Sequence, residues 1–115
     1  MLKKIGDYLE IHDLTVETAT ETAENGLEKA VVRGFLHIVT PVKVLYMASL
    51  ELDNVEMHES FRLHIDPEDK QYALPEVFVV NPIRSDNENI GKYTLTLKIY
   101  AAGGVVHDFS AQFRF

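Results

Sequence analysis

Val105-Val106-His107-Asp108-Phe109-Ser110-Ala111-Gln112-Phe113-Arg114-Phe115 is the stretch on which the fold turns. Val105, His107, Phe109, Ala111, Phe113 and Phe115 fall on one side of an extended chain, and the intervening Val106, Asp108, Ser110, Gln112 and Arg114 on the other. Strict alternation of this kind is the pattern of a half-buried β-strand. Immediately before it, Tyr93, Leu95, Leu97, Ile99 and Ala101 alternate with Thr94, Thr96, Lys98 and Tyr100, again in residues that suit a pleated surface. Ala102-Gly103-Gly104 lies between the two runs, and glycine takes the positive φ that a tight turn demands. Residues 91–115 therefore read as a long C-terminal β-hairpin.

Working toward the N-terminus, the same period recurs. Asn25-Gly26, suited to a type I′ turn, separates Leu14–Thr20 from Ala30–Leu36. A two-residue loop there pairs Val16 with Phe35 and Thr20 with Val31 as an inward row. A helix over this region is the rival reading, since Glu17, Glu21, Glu24 and Glu28 recur at helical spacing, but no apolar stripe accompanies them. Val42 to Leu52 alternates once more, Asp53 to Glu59 reads as a polar loop, and Phe61, Leu63 and Ile65 form the return strand before Pro67-Glu68-Asp69. Tyr72 to Val80 is a further apolar run, weakened at its start by Pro75 and ended by Asn81-Pro82. The expectation is all-β: a seven-stranded antiparallel β-sandwich, with a small barrel as the neighbouring possibility, forming one domain over residues 1–115.

Asn89-Ile90-Gly91-Lys92-Tyr93-Thr94-Leu95 resembles the tyrosine corner of immunoglobulin-like domains, a tyrosine entering the sixth strand two residues before a core position. Leu95 stands where a disulfide-bonded immunoglobulin domain has cysteine, and Phe35 is its expected apolar counterpart; no tryptophan is present to complete the pattern. The resemblance covers seven residues. It implies an immunoglobulin-like topology and no particular function.

Composition narrows the function. The 115 residues can bury about two-thirds of the surface of the unfolded chain, enough for a core without covalent staples. The absence of cysteine removes disulfides, thiolate chemistry and sulfur-ligated zinc. A net charge of -7 repels phosphate backbones and anionic membranes, so neither nucleic acid nor membrane is expected as a partner. The N-terminal residues carry no apolar run of signal-peptide or spanning length, so a cytoplasmic location is expected.

No residue pattern carries catalysis. His12, His37, His58, His64 and His107 form no His-x-x-x-His pair, and His64 with Asp66 reads as a solvated pair. Ser49, Ser60, Ser85 and Ser110 lack a nucleophile-elbow context. Asp53, Asn54, Glu56 and Glu59, or Asp86, Asn87, Glu88 and Asn89, could offer oxygens to calcium, but neither follows an EF-hand order. No enzyme activity, metal or cofactor is expected. The chain ends in Phe113-Arg114-Phe115 with almost no polar tail, so its last phenylalanines need cover from this domain or a neighbour. Phe109, Phe113, Arg114 and Phe115 are therefore the expected interface of a non-enzymatic interaction or assembly module, with a protein partner or a second copy in a homo-oligomer. The alternative is a carrier or chaperone-like protein holding apolar peptides or small molecules in a groove between sheets; an exposed stripe of Tyr46, Met47, Met57 and Tyr100 would favour it.

Overall fold

The computed structural model describes residues 2–53, 55–80, 82 and 92–115. Two antiparallel sheets pack face to face, and the described residues contain no helix beyond a three-residue 3-10 turn at Ala102–Gly104. The all-β sandwich expected from the alternating runs is the observed fold. Its strands are β1 (Lys3–Ile5), β2 (Leu9–Thr22), β3 (Glu28–Val39), β4 (Val44–Leu52), β5 (Val55–Ile65), β6 (Gln71–Ala73), β7 (Val77–Val80), β8 (Lys92–Tyr100) and β9 (Val106–Arg114).

One sheet runs β1-β2-β3, with β6 and β7 sharing the far edge of β3; the other runs β5-β4-β8-β9. The order in which the chain exchanges sheets is that of immunoglobulin-like sandwiches. β2, β3 and β6/β7 take the places of strands A, B and E, and β4, β8 and β9 those of C, F and G, with β5 added beside β4. The terminal hairpin is in the expected place, its register running without a shift from Lys92 opposite Arg114 to Tyr100 opposite Val106.

Among the described residues the count is nine strands where seven were expected over the chain, for local reasons. Lys3–Ile5 is too short to show a period, yet it turns back on Leu9–Ile11 through Gly6, whose φ is 61°. The run from Tyr72 to Val80 is two strands, because Pro75 cannot donate to a ladder; between them the Leu74 N–H donates to the Gly34 carbonyl at 2.9 Å, keeping the break attached to β3. The segment Asp53 to Glu59 is mostly strand: Leu52 lies opposite Val55, and Asp53 makes the turn at φ 50°. Acidic side chains hid the extended backbone there.

The β2–β3 hairpin corrects the expected register by one residue. Glu24-Asn25-Gly26 is a three-residue loop closed by the Ala23 N–H to the Leu27 carbonyl at 2.8 Å, with Gly26 at φ 82°. This is a type I turn followed by a left-handed residue, the usual three-residue alternative to a type I′ loop. Val16 is consequently opposite Gly34, and Thr20 opposite Ala30. The inward row of β3 is Ala30, Val32, Gly34, Leu36 and Ile38, while Phe35 turns to the outer face opposite Thr15. A single residue of slip exchanges the two faces of a strand. On β2 the alternation survives from Leu9 to Val16 only through a bulge between Ile11 and Asp13.

The core lies between the sheets. Leu36 and Ile11 from one layer meet Leu50, Leu63, Leu97 and Phe109 from the other, all essentially inaccessible to water. Gly34 sits in the same layer because no side chain fits: a Cβ there would lie 2.9 Å from methyls of both Leu74 and Leu95. Leu95 thus has its expected central position, facing Gly34 in place of Phe35. The 14 residues of β2 span about 46 Å, which matches the 48 Å long axis of the molecule. The strands of the other sheet are shorter, so the Glu17–Thr22 end of the hairpin stands exposed beyond the core.

Candidate interaction surface

The functional groups singled out in the sequence are scattered by the fold. His12 Nε2 lies 3.5 Å from Glu10, and His37 Nε2 lies 3.1 Å from the Thr15 hydroxyl, both on the five-stranded sheet. His58 donates to the Glu76 carbonyl at 3.3 Å, tying the two sheets together, while Glu76 itself binds Arg33 at 2.6 Å. His64 and Asp66 do not pair; the Asp66 carboxylate is 3.8 Å from Lys43 Nζ. His107 is half-buried opposite Ile99 on the terminal hairpin. Among the described residues no three His, Asp or Glu side chains are placed to hold a metal ion.

Of the two calcium candidates, Asp86 to Asn89 lies outside the described residues. Asp53, in the other, already uses its carboxylate: it accepts from the Thr94 N–H at 2.9 Å, and the Asp53 N–H donates to the Thr94 carbonyl at 3.0 Å. Glu56 and Glu59 are spread along β5.

The expected interface residues divide in two. Phe109 is 1% exposed and is a core residue, with the Lys3 ammonium 5.1 Å from its ring centre; it cannot touch a partner without unfolding the sandwich. Its inward phase on β9 decides this, since that phase meets the facing sheet at mid-strand. Phe113 and Phe115 share the phase but lie at the sandwich end, where they are half-buried. Phe113 stacks on Tyr93 with centroids 5.8 Å apart, and Phe115 meets both rings edge-on at 5.0 and 5.5 Å. Tyr93, the residue of the tyrosine-corner resemblance, thus serves this aromatic cluster; Asn89, Ile90 and Gly91 of that motif lie outside the described residues. Arg114 points to the outer face, opposite Lys92.

The stripe of Tyr46, Met47, Met57 and Tyr100 is half assembled. Tyr46 faces inward and donates its hydroxyl to the Ile5 carbonyl at 3.4 Å. Met57 sits at an irregularity of β5. Met47 and Tyr100, however, are direct cross-strand partners on the outer face of the four-stranded sheet, and the row continues to Arg62 on β5 and Val106 on β9. Met47, Tyr100 and Val106 are 43%, 40% and 46% exposed, and Leu45, one step along β4 on the same face, is 59% exposed. The Tyr100 hydroxyl lies 2.9 Å from that of Ser49, which is wholly buried beneath it. Beyond Ser49 the face turns polar, with Lys98 bound to Glu51 at 3.0 Å. This contact, foremost its hydrogen bond and then its charge, raises the Lys98 pKa above 10.5.

In the sequence an exposed stripe with Met47 and Tyr100 is only a condition that would favour the carrier reading, and Leu45 and Val106 are not part of it, since they read as ordinary members of their strands. Only the register across four strands puts them in one patch. A shallow depression of about 170 Å³ on the opposite face of the molecule, between Glu17, Ala19, Glu21, Val31 and Arg33, is smaller than sites that enclose ligands. The space between the sheets is filled along its middle by Leu36, Leu50, Leu97 and Phe109.

No family model matches the sequence, and no curated protein matches it. Among solved structures, the β-glucuronidase of Parabacteroides merdae, determined with glycerol in its active site, has a TM-score of 0.62 over 94% of this chain at 17% identity. The match takes in 13% of that much longer chain. A likeness at this identity shows the fold, the two-sheet sandwich, in both.

Proposed function

We propose that this chain is a non-catalytic protein-interaction module that meets its partner on the outer face of the four-stranded sheet, in the cytoplasm. The carrying observation is the aligned row of Met47, Tyr100 and Val106 with Leu45 beside it, all exposed on the outer face of one sheet. Apolar and aromatic side chains of this kind form the centre of protein interfaces, and Arg62 at the row's end and the polar Lys98–Glu51 zone supply a rim. The net charge of -7 favours a protein over nucleic acid.

A photo-crosslinking amino acid at position 47 tests the reading in cells that express the protein, with position 21 on the opposite face as control. One discrete adduct at 47, absent at 21 and lost when Leu45→Glu is added, is the expected result. Equal adducts at both positions, or none at 47, would overturn it.

A further inference from the structure

The geometry points to a symmetric dimer in which β9 pairs antiparallel with β9 of a second copy, Ala111 opposite Ala111. The inference rests on the reading of the four-stranded sheet as the interaction layer, but it uses the sheet's edge instead of its outer face.

The direction of the β9 backbone groups follows from the turn that precedes it. The Ala101 N–H donates to the Val105 carbonyl at 2.8 Å, so these residues form a hydrogen-bonded pair. Antiparallel pairs alternate between bonded and non-bonded, which makes His107, Phe109, Ala111 and Phe113 the residues bonded to β8. Asp108, Ser110, Gln112 and Arg114 therefore aim their N–H and carbonyl groups at the open edge. Among the described residues β9 is paired with β8 alone.

The backbone of this edge is regular, although β2 of the facing sheet passes close to β9. Val106–Arg114 contains neither proline nor glycine, and its ladder has no register shift. The opposite edge of the same sheet, β5, has two such shifts, the kind of irregularity that blunts an edge. A two-fold axis at Ala111 brings edge-pointing residues together in bonded pairs, Ser110 with Gln112 and Asp108 with Arg114 of the second copy, each occurring twice. The charges are opposite and lie on the same face, so one sequence complements itself, as an isologous interface requires. Moving the axis to Ser110 would set Asp108 against Gln112 and Arg114 against Val106, which forfeits that match.

Light scattering of the purified chain from about 10 µM to about 1 mM reads the outcome over the range where a small interface associates. The molar mass is expected to rise from 13.1 kDa toward twice that value. Ser110→Pro removes an N–H that faces the edge and none that bonds β8, so it is expected to stay folded by circular dichroism and to remain at 13.1 kDa. Asp108→Arg is expected to weaken dimerisation at least about tenfold, and Asp108→Arg with Arg114→Asp to restore it. A wild-type mass of 13.1 kDa at every concentration, a folded Ser110→Pro that dimerises as well as wild type, or a folded charge-swapped double variant that stays monomeric would each overturn the pairing. Loss of the dimer on Met47→Glu but not on Ser110→Pro would also sink it while leaving the outer-face reading intact. A monomer that keeps its position-47 adduct in cells separates the two in the same way.

Discussion

Gly34→Ala is the substitution whose cost can be worked most directly from the structure. A Cβ at position 34 would lie 2.9 Å from Leu74 Cδ1 and 2.9 Å from Leu95 Cδ2, against 3.4 Å for the near limit of ordinary contact, so each methyl must retreat by 0.5 Å (3.4 − 2.9). Neither has open space to enter: Leu95 is fully buried and Leu74 nearly so. Leu74 is the more movable of the two, since it lies between β6 and β7, yet its N–H is anchored to the Gly34 carbonyl itself. Overpacking of this size costs about 1 to 3 kcal/mol. Opposing it, alanine reduces the freedom of the unfolded chain by about 0.4 to 1 kcal/mol. The net expectation is a loss of about 1 to 2 kcal/mol, or roughly 4 to 8 °C in Tm at about 4 °C per kcal/mol for a chain of this size. Urea titration and thermal melting of wild type, Gly34→Ala, Leu74→Val and the double variant measure it. If the clash is the cause, trimming Leu74 relieves it, and the double variant is more stable than the sum of the singles by at least about 0.5 kcal/mol. A Gly34→Ala protein that melts at or above wild type would refute the close-packing account of this position.

Other expectations follow from single contacts. Tyr100→Phe should cost about 1 to 2 kcal/mol in urea unfolding, because it strands the buried Ser49 hydroxyl, whereas the Ser49→Ala, Tyr100→Phe pair should cost less than Tyr100→Phe alone. At Asp53, whose φ is 50°, Ala loses both the left-handed tolerance and the acceptor for Thr94 N–H, while Gly loses only the acceptor; Asp53→Ala should therefore be the less stable of the two by about 1 kcal/mol in thermal melts. Lys98 has a raised pKa in the folded state, so its contact with Glu51 contributes fully below 10.5 and is lost as pH climbs through the raised value; the Tm gap between wild type and Glu51→Gln should close above pH 10.5. A gap unchanged across that window would show that Glu51 acts by packing.

The sequence made the layers legible because the sandwich buries one face of each strand, and burial is what writes a period of two. It misled where something other than burial sets the backbone. The three-residue loop at Glu24-Asn25-Gly26 is chosen by hydrogen bonds of Ala23, which leave no trace in the apolar pattern, and the resulting slip turned Phe35 outward and Gly34 inward. At β5 the acidic side chains reported solvent and concealed a strand. For the surface the limits are different in kind. Phe109 and Phe113 have the same phase on β9, and only the position of the facing sheet makes the first a core residue and the second a partner of Tyr93. Likewise Leu45 and Val106 lie 61 positions apart (106 − 45), and a single chain read along its length has no means of joining them.

The unequal edges of the four-stranded sheet have a consequence for how far assembly can proceed. Were β5 as regular as β9, one copy's β9 could dock on the next copy's β5, and the sheet would propagate without end, as fibres do. With β5 interrupted beside Leu50, addition at the smooth edge in the proposed dimer would be self-terminating: two copies would close an eight-stranded sheet (4 + 4) and present only interrupted strands to the solution. If the chain pairs through β9 as proposed, the irregularity in β5 would act as a stop signal for polymerisation, written into the same layer that offers the means to start it.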